Sequence, residues 1–204
     1  MVGQQRVSGV TGIILAAGVG LRFDPSGQCL KLLARMDDGK TVVRRVCETA
    51  LSVLDEVLLV CDVHEPLLRR ELGDLPLVFV PAPDATRGMG VSLKAGIQAS
   101  RPSYGYVVLL ADMPWVRPST VAAVAQAVQD GAGIVRPVVN GQTGNPIGFG
   151  LAWQQALLTL PDEQGARGLL QANRDQTLFL PLVDEGILRD VDIPSDLGMS
   201  PDSN

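Results

Sequence analysis

The residues of this sequence best suited to binding a phosphorylated ligand lie in a segment of small side chains near the N-terminus. That segment, residues 15–34, reads LAAGVGLRFDPSGQCLKLLA. Its first residues leave backbone N–H groups open to a base, a ribose or a phosphate; they are Leu15, Ala16, Ala17, Gly18 and Gly20. Arg22 and Lys31 follow and can neutralise a triphosphate. A turn that only connects a strand to a helix is the alternative, because the segment lacks the third glycine of a dinucleotide fingerprint and the Gly-Lys-Ser/Thr of a P-loop.

A second candidate is an acidic residue placed just after the most strand-like run of the sequence. Asp112 lies in the segment LLADMPWV, residues 109–116. A carboxylate at the end of a buried strand is costly unless it faces a crevice, and in a crevice it would be a natural ligand for a hard cation such as Mg²⁺. Capping of the helix that begins near Pro118 explains the same residue equally well.

Two further polar segments leave a similar choice open. The segment RGMGVSLKAG, residues 87–96, places Ser92 at an expected helix start, where it either caps the helix or bonds a nucleotide. The segment RDVDIPSDL, residues 189–197, contains three aspartates, and by composition alone they are expected to form a solvated acidic patch; they are Asp190, Asp192 and Asp196.

Short apolar runs alternate with helical patterns, and this alternation predicts how the polar segments are positioned. Strands are expected at Gly12–Ala17, Glu56–Cys61, Leu77–Val80, Tyr104–Leu110, Gly133–Val138 and Thr177–Leu182. Helices are expected at Val42–Val53, Glu65–Leu72, Ser92–Ala99, Pro118–Asp130, Ala152–Leu158 and near Ala166–Asn173. This order implies βαβ crossovers and a parallel sheet covered on both faces, with ligands at the carboxyl ends of the strands. Residues after 139, which begin with a Gly/Asn-rich stretch, are expected to cap one side of the same domain.

Length and composition limit the class of protein. A chain of 204 residues suffices for one sizeable core. A net charge of −5 argues against a nucleic-acid partner, and no apolar run approaches the ~18 residues that span a bilayer. Three cysteines without Cys-x-x-Cys spacing indicate neither a disulfide framework nor a zinc site. We expect a cytoplasmic enzyme with an N-terminal extension at 1–11, one domain at 12–197 and a flexible tail at 198–204.

In this order the segments resemble those of the molybdenum cofactor cytidylyltransferases, a family of molybdopterin nucleotidyltransferases. The family's segments LAAGxSxRMG…K, GMSxSLRAG, LxDMPxV, GHPV, GARGLL and DIDTPEDL have counterparts along nearly the whole chain. These are Leu15–Arg22 with Lys31, Gly88–Gly96, Leu110–Val116, Gly144–Ile147, Gly165–Leu170 and Asp190–Leu197. The chain departs from the family at residues 23–30, which read FDPSGQCL in place of a compact Met-Gly…Pro, and at Asn145, where the family has His.

The resemblance implies a single-domain, Rossmann-like three-layer α/β fold of the nucleotide-diphospho-sugar transferase type. It also implies transfer of CMP from CTP to the phosphate of molybdopterin, with release of pyrophosphate and with Mg²⁺ as cofactor. The implied catalytic residues are Lys31, Arg22 and Asp112, with Asp112 and Asp192 as metal ligands. The implied nucleotide contacts, besides Arg22 and Lys31, are Leu15, Ala16, Ala17, Gly18, Gly20, Gly88 and Ser92, and those for the acceptor are Asn145 and Pro146. A molybdenum hydroxylase is the implied partner that receives the product.

Two alternatives stay open at the level of sequence. One is the same fold with GTP as donor or with another acceptor phosphate, and the other is a nucleotide-dependent oxidoreductase or a cofactor carrier. The presence of both Asp112 and Lys31 favours a transferase. Lys31 is the lysine expected to contact the donor phosphates, since Lys40 lies in an acidic turn and Lys94 in a helix, where a solvated side chain is expected. His64, the one histidine, is expected to be a surface residue.

Overall fold

The computed structural model describes residues 6–17, 23–24 and 30–198. Its strands are β1 (Val7–Leu15), β2 (Leu54–Cys61), β3 (Val78–Pro81), β4 (Gly105–Leu110), β5 (Ile134–Val139), β6 (Gln142–Thr143), β7 (Ile147–Gly150) and β8 (Thr177–Pro181). Its α-helices are α1 (Val42–Val53), α2 (Glu65–Leu72), α3 (Met89–Ala99), α4 (Pro118–Gln129), α5 (Gln154–Leu158) and α6 (Arg167–Ala172). Three predicted site residues, Gly18, Gly20 and Arg22, lie outside the described residues.

All eight strands belong to one mixed sheet in the order β3-β2-β1-β4-β7-β5-β6, with β8 beside β5. Strand β1 pairs in parallel with both β2 and β4, β2 pairs in parallel with β3, and β8 runs parallel to β5. Strand β7 is antiparallel to both of its neighbours, β4 and β5. The prediction of a single α/β domain with a mostly parallel sheet is therefore confirmed.

The sheet separates two hydrophobic cores, because successive side chains of a strand point to opposite faces. Ile14 of β1 packs in the core that also contains buried residues of α1, α2 and α4. Its neighbour Ile13 packs in the core formed with α3 and α5. The result is a three-layer arrangement in which both faces of β1 and β4 are covered. Within the described residues, no helix is long and apolar enough to cross a membrane.

Helices α1 and α2 have the bounds that their apolar spacing predicts. Thr41 caps α1, as predicted, because its side-chain oxygen accepts a hydrogen bond from the backbone N–H of Arg44 at 3.3 Å. In α2, Glu65 and Arg69 form an ion pair one turn apart, with Nε 2.7 Å from the carboxylate. Local signals therefore define these two helices without help from the rest of the chain.

Two predicted starts were wrong. Strand β1 begins at Val7, not at Gly12, so residues 7–11 belong to the sheet. Val7 pairs with Leu54, and the register shifts between Val7 and Thr11. Helix α3 begins at Met89, which places Ser92 inside the helix and not at its cap. In both cases the element begins several residues before the position at which local propensity predicts its start, Gly12 for β1 and Ser92 for α3.

The Gly/Asn-rich stretch after β5 contains two strands that the sequence did not predict. Asn140 and Gly141 have φ angles of 50° and 77°, as the central residues of a type I′ hairpin turn require. This turn connects β5 to β6, and β7 then enters the sheet between β4 and β5. The sequence IGFG of β7 has few residues that favour strands, so its position depends on the two neighbouring strands.

Candidate active site

A cavity of about 300 Å³ opens at the carboxyl ends of β1 and β4. It is lined by Leu15, Ala16, Ala17, Lys31, Leu32, Ala85, Thr86, Met89, Ser92, Leu110, Ala111 and Asp112. We call it the first cavity. It brings together residues of the β1 loop, the start of α3 and the end of β4, which are the three places where the fold predicts a ligand.

The centre of this site is a buried lysine between two carboxylates. The Nζ atom of Lys31 lies 2.6 Å from Oδ2 of Asp112 and 3.7 Å from Oδ1 of Asp192. The Lys31 side chain is only 10% exposed, whereas the Asp112 and Asp192 side chains are 23% and 39% exposed. An ammonium group buried to this extent requires a charged partner, and the two carboxylates meet that requirement.

Local structure holds Lys31 in this position. The residue opens a short 3-10 turn, Lys31–Leu33, in which Leu32 is buried in the core beside α1. The carbonyl of Lys31 accepts a hydrogen bond from the N–H of Ala34 at 3.1 Å, and Arg35 forms an isolated bridge with Thr41. The chain is thereby anchored on the C-terminal side of Lys31, so the backbone that carries the lysine has a defined place.

Backbone contacts bring the two distant aspartates to one edge of the sheet. The N–H of Val191 donates to the carbonyl of Asp112 at 2.8 Å. The carboxylate of Asp196 accepts from the N–H groups of Asp192 and Ile193 at 2.9 and 2.8 Å. The expectation of a solvated acidic patch was therefore wrong for Asp192, which faces Lys31, and for Asp196, which closes the turn that presents Asp192.

Asp190 is the third acidic residue of this segment. Burial raises its pKa above the usual value for an aspartate, and the negative charges of Asp192 and Asp112 raise it further. Crowding of negative charge at this edge is the kind of electrostatic environment that a bound cation relieves.

The donor atoms fit a divalent cation that arrives with a nucleotide. Among the described residues, no group of three or more His, Cys, Asp or Glu side chains is arranged to hold a metal ion by itself. Asp112 and Asp192 supply two carboxylates already arranged around a positive charge, the ammonium of Lys31. Mg²⁺ is commonly bound through one or two carboxylates plus substrate phosphates and water, and this pair suits that mode.

Asp184 was missed by the sequence analysis, although it is 3% exposed and central to the architecture of the site. Its carboxylate accepts hydrogen bonds from the N–H of Arg117 at 2.9 Å, the hydroxyl of Thr120 at 2.5 Å and the N–H of Gly186 at 3.0 Å. These bonds attach the segment that leads to Asp192 to the beginning of α4. No signal of this role is visible in the sequence, because Asp184 is followed by Glu185 in a segment where an exposed acidic residue is expected.

Gly88 and Ser92, both predicted to contact the nucleotide, differ in their relation to the first cavity. Ser92 is 4% exposed and lines the first cavity from within α3. Gly88 precedes α3 with a φ of 142°, and a Cβ there would lie 2.3 Å from the carbonyl oxygen of Asp162. Gly88 does not line the first cavity, whereas Thr86 and Met89 on either side do. The backbone of Gly88 lies so close to Asp162 and Glu163 that there is no room for a side chain at this position.

A second cavity of about 580 Å³ adjoins the first and shares Leu15, Met89 and Leu110 with it. It lies over the face of the sheet between α3 and α6, and Asn145 lines it as the acceptor prediction requires. Pro146 is buried and lines a separate small cavity with Val46 and Met113. Asn145 also lines this small cavity, so it faces both spaces, whereas Pro146 lines only the small one.

The second cavity also contains residues that the sequence analysis did not single out. They are Arg136, Gln164, Arg167, Gln171 and Arg174. One signal was available, because Arg136 interrupts the apolar run of β5, and a strand of a covered sheet rarely carries an isolated charge.

The remaining lysines and the histidine lie outside both cavities. Lys40 pairs with Glu48 at 2.6 Å, as an acidic neighbourhood predicts. Lys94 is not solvated as expected, because its Nζ donates to the carbonyl of Leu160 at 3.1 Å and to the carboxylate of Asp162. The Nδ1 atom of His64 lies 2.8 Å from Asp62 at the start of α2.

Comparison with known proteins gives three findings. Residues 12–177 match the family model described as MobA-like NTP transferase domain. A molybdenum cofactor guanylyltransferase from Desulfosudis oleivorans is 26% identical over 134 residues, which cover 63% of this chain and 58% of that protein. The structure is also similar to solved structures, two of which are described next; their sequence identities are below 25%, so the similarity shows the fold alone.

The first of these is Rv0371c from Mycobacterium tuberculosis H37Rv, with a TM-score of 0.78, 23% identity and coverage of 93% of this chain and 96% of that chain. A structure of Rv0371c in complex with manganese gives a TM-score of 0.69 at 22% identity, covering 93% of each chain. The second is a nucleotidyl transferase from Methanothermobacter thermautotroptrophicus, with a TM-score of 0.79, 20% identity and coverage of 92% and 93%.

Proposed function

The chain belongs to the family of MobA-like NTP transferase domains, and we propose that it transfers CMP from CTP to the phosphate of molybdopterin. The observation that carries this proposal is the buried ammonium of Lys31 between the carboxylates of Asp112 and Asp192, at the edge of the first cavity. This arrangement suits a triphosphate with a divalent cation, because it offers one positive group and two oxygen ligands in one place.

The reaction is an in-line displacement at the α-phosphorus of CTP. An oxygen of the acceptor phosphate forms the new P–O bond, the bond between the α-phosphorus and its bridging oxygen breaks, and pyrophosphate leaves with the bonding electron pair. An acceptor phosphate that is already ionised needs no general base. Positioning of the two substrates and neutralisation of their charge therefore supply the rate enhancement.

Different residues at the first cavity are proposed to bind the metal ion, the triphosphate, and the base and ribose. Asp112 and Asp192 would hold Mg²⁺, which supplies positive charge to the phosphates and offsets the charge that develops on pyrophosphate. One structure of Rv0371c, which has this fold, is a complex with manganese and supports the proposal of a divalent ion. Lys31 would exchange a carboxylate partner for a phosphate oxygen when the nucleotide binds. Arg22 remains a second candidate for the triphosphate, and Ala16, Ala17 and Ser92 would contact base and ribose.

The acceptor would occupy the second cavity. It adjoins the first cavity along Leu15, Met89 and Leu110, so an acceptor phosphate can approach the α-phosphorus from that side. Asn145 lines the second cavity and would orient the acceptor through its side-chain amide. A molybdenum hydroxylase would receive the product.

GTP is the second candidate donor, and one observation favours it. The Desulfosudis relative is named a guanylyltransferase, whereas the proposal of CTP rests on the resemblance of residues 88–96 and 190–197 to cytidylyltransferase segments. Another acceptor phosphate on the same fold is the corresponding alternative for the second substrate. An oxidoreductase is less well supported, because the family match is to NTP transferases and a lysine between two carboxylates suits a metal–triphosphate complex.

Pyrophosphate release tests the donor and the acceptor together. The protein is incubated with Mg²⁺, molybdopterin and each of the four nucleoside triphosphates, and the nucleotide product is identified by mass spectrometry. We expect the highest kcat/KM with CTP. GTP that binds at least tenfold more tightly than CTP by calorimetry, which is about 1.4 kcal/mol, would make GTP the donor. No release with any of the four would contradict the proposed function.

A further inference from the structure

Three arginines give the second cavity a strong local positive charge. Arg136 lies on β5 in the floor of the cavity, and Arg167 and Arg174 lie at its side, on and just after α6. The described residues that line this cavity include no Asp or Glu. This distribution differs from the protein as a whole, which carries a net charge of −5.

Arg136 is the member that points most clearly to a ligand. Its Nε atom is buried and has no hydrogen-bond partner within the described structure. Burial lowers the pKa of Arg136 below its ordinary value, and the nearby positive charge of Arg174 lowers it further. A partly buried guanidinium with an unsatisfied Nε, and with no carboxylate partner among the described residues, is unfavourable in the free protein. A bound anion would supply a hydrogen-bond acceptor and offset the repulsion from Arg174.

Strand pairing explains why the arginines stay close together. Arg136 is directly opposite Phe179 in the parallel pair of β5 with β8. The guanidinium of Arg174 lies over the ring of Phe179, 5.3 Å from its centroid. Because Phe179 is the strand partner of Arg136, this cation–π contact keeps Arg174 close to Arg136. Two planar guanidinium groups arranged around one space are well suited to bidentate binding of a phosphate or carboxylate.

We propose that Arg136, Arg167 and Arg174 form an anion subsite that binds a phosphate or carboxylate group of the acceptor substrate. The proposal rests on the proposed function in one respect, namely that the occupant of the second cavity is the acceptor. None of the three arginines lines the first cavity, where Lys31 is proposed to bind the donor triphosphate, so we assign their ligand to the acceptor. Acceptors without an anionic group at this position would be poor substrates.

Direct binding tests the subsite without any turnover. Inorganic phosphate and malonate are titrated by calorimetry into Lys31→Gln protein, in which the ammonium group of Lys31 is absent, and into the same protein with Arg136→Gln or Arg174→Gln added. We expect each added substitution to weaken binding of the preferred anion at least tenfold. Tighter binding of phosphate would identify a phosphate-bearing acceptor, and tighter binding of malonate a carboxylate-bearing one.

Arg70→Gln in the same background is the matched control, because Arg70 is an exposed arginine on α2 outside both cavities. It should leave anion binding unchanged. Arg174 is exposed, so its substitution is not expected to disturb folding, and thermal unfolding of each variant provides the check. The subsite is refuted if the parent binds neither anion, or if the Arg136→Gln and Arg174→Gln variants bind as tightly as the parent.

Kinetics with intact Lys31 separate this inference from the proposed function. Arg136→Gln should raise the acceptor KM at least tenfold and leave the affinity for the nucleotide unchanged. An unchanged acceptor KM would overturn the assignment of the subsite to the acceptor. Absence of turnover in the wild-type protein, together with loss of anion binding in Arg136→Gln, would contradict the proposed function and leave the anion subsite established.

Discussion

At the scale of single residues, the first cavity depends on charges whose partners come from distant parts of the chain. Lys31 is almost completely buried, and its ammonium is 2.6 Å from Asp112 and 3.7 Å from Asp192. The lysine also reduces the repulsion between the two carboxylates, which lie at the same edge of the sheet. Substitution of any of the three should affect the function of the site more than the stability of the fold.

Asp112→Asn is expected to lower turnover by about 100-fold, the scale of losing one preorganised charged contact. The side chain is partly exposed, so circular dichroism should be unchanged. Pyrophosphate release measures the effect, and Asp37→Asn in an exposed turn is the control. Retention of more than about a tenth of the wild-type rate, less than about 1.4 kcal/mol of barrier, would rule out a role as metal ligand.

Lys31→Ala is expected to lower kcat/KM by about 100-fold, roughly 3 kcal/mol. A decrease mainly in kcat would indicate contact with the α-phosphate in the transition state, and an increase mainly in KM would indicate uniform binding of the triphosphate. Lys40→Ala is the control, since Lys40 is exposed and pairs with Glu48. Unchanged kinetics in Lys31→Ala would make Arg22 the leading candidate instead.

At the scale of elements, the start of α3 is positioned by close packing against residues 161–163. A Cβ at Gly90 would lie 2.3 Å from the carbonyl oxygen of Pro161. Gly90→Ala is therefore expected to destabilise the protein by about 1–3 kcal/mol, as measured by urea denaturation. It should also weaken nucleotide binding, because Met89 and Ser92 line the first cavity.

Gly168→Ala is the matched control for this prediction. Gly168 also lies in a helix, α6, and a Cβ there would meet only the side-chain oxygen of Gln164, at 3.6 Å. Without a clash, the substitution should stabilise the protein by up to about 1 kcal/mol, because alanine favours a helix more than glycine. Equal effects of Gly90→Ala and Gly168→Ala would mean that the contact with Pro161 does not limit the position of α3.

The second element that positions the site is the segment after β8, which Asp184 attaches to α4. Asp184→Ala leaves three donors without their acceptor, from Arg117, Thr120 and Gly186. Each unsatisfied buried donor costs about 1–3 kcal/mol, so we expect destabilisation of at least 3 kcal/mol. Weaker binding of the Mg²⁺–nucleotide complex should accompany it, because Asp192 follows in the same segment.

Asp130→Ala provides the comparison for Asp184. Asp130 is exposed, and its carboxylate accepts from the side chain of Gln126 at 2.8 Å, so its removal should have little effect on stability. Thermal unfolding and nucleotide titration measure both variants. If Asp184→Ala unfolds at the wild-type temperature and binds the nucleotide normally, the segment that carries Asp192 is held by other contacts.

At the scale of the whole molecule, both cavities are formed by a sheet that has a hydrophobic core on each face. The nucleotide site therefore exists only in the folded state, and a bound nucleotide should raise the unfolding temperature. At a concentration 100-fold above the dissociation constant the stabilisation is about 2.7 kcal/mol, which corresponds to several degrees for a domain of this size. We expect this shift from CTP with Mg²⁺ in differential scanning fluorimetry.

Mg²⁺ alone should give a much smaller shift, because two carboxylates with Lys31 between them form an incomplete ligand shell. Removal of the metal with EDTA should abolish turnover and leave the unfolding temperature of the nucleotide-free protein unchanged. A shift from Mg²⁺ alone as large as that from CTP with Mg²⁺ would show that the metal site is complete without the nucleotide.

The sequence by itself determined those elements that are stabilised by interactions between residues close together in the chain. The helices Val42–Val53 and Glu65–Leu72 follow from apolar periodicity and cap residues within the segments themselves. The alternation of strands and helices was sufficient to predict a mostly parallel sheet and the edge at which the first cavity lies. The order of short motifs, from Leu15 to Leu197, predicted a molybdopterin-type nucleotidyltransferase, and the match over residues 12–177 confirms the broader MobA-like NTP transferase family.

The tertiary structure alone decided which side chains meet. The contacts of Lys31 with Asp112 and Asp192, the bonds of Asp184 to the start of α4, and the apposition of Arg136 with Phe179 all join residues far apart in the chain. Such contacts depend on the order of strands in the sheet, and β7 occupies its place through pairing with β4 and β5 despite a glycine-rich sequence. Propensity and periodicity describe a segment and its nearest neighbours, so they contain no information on which distant segment completes a charge or a hydrogen bond.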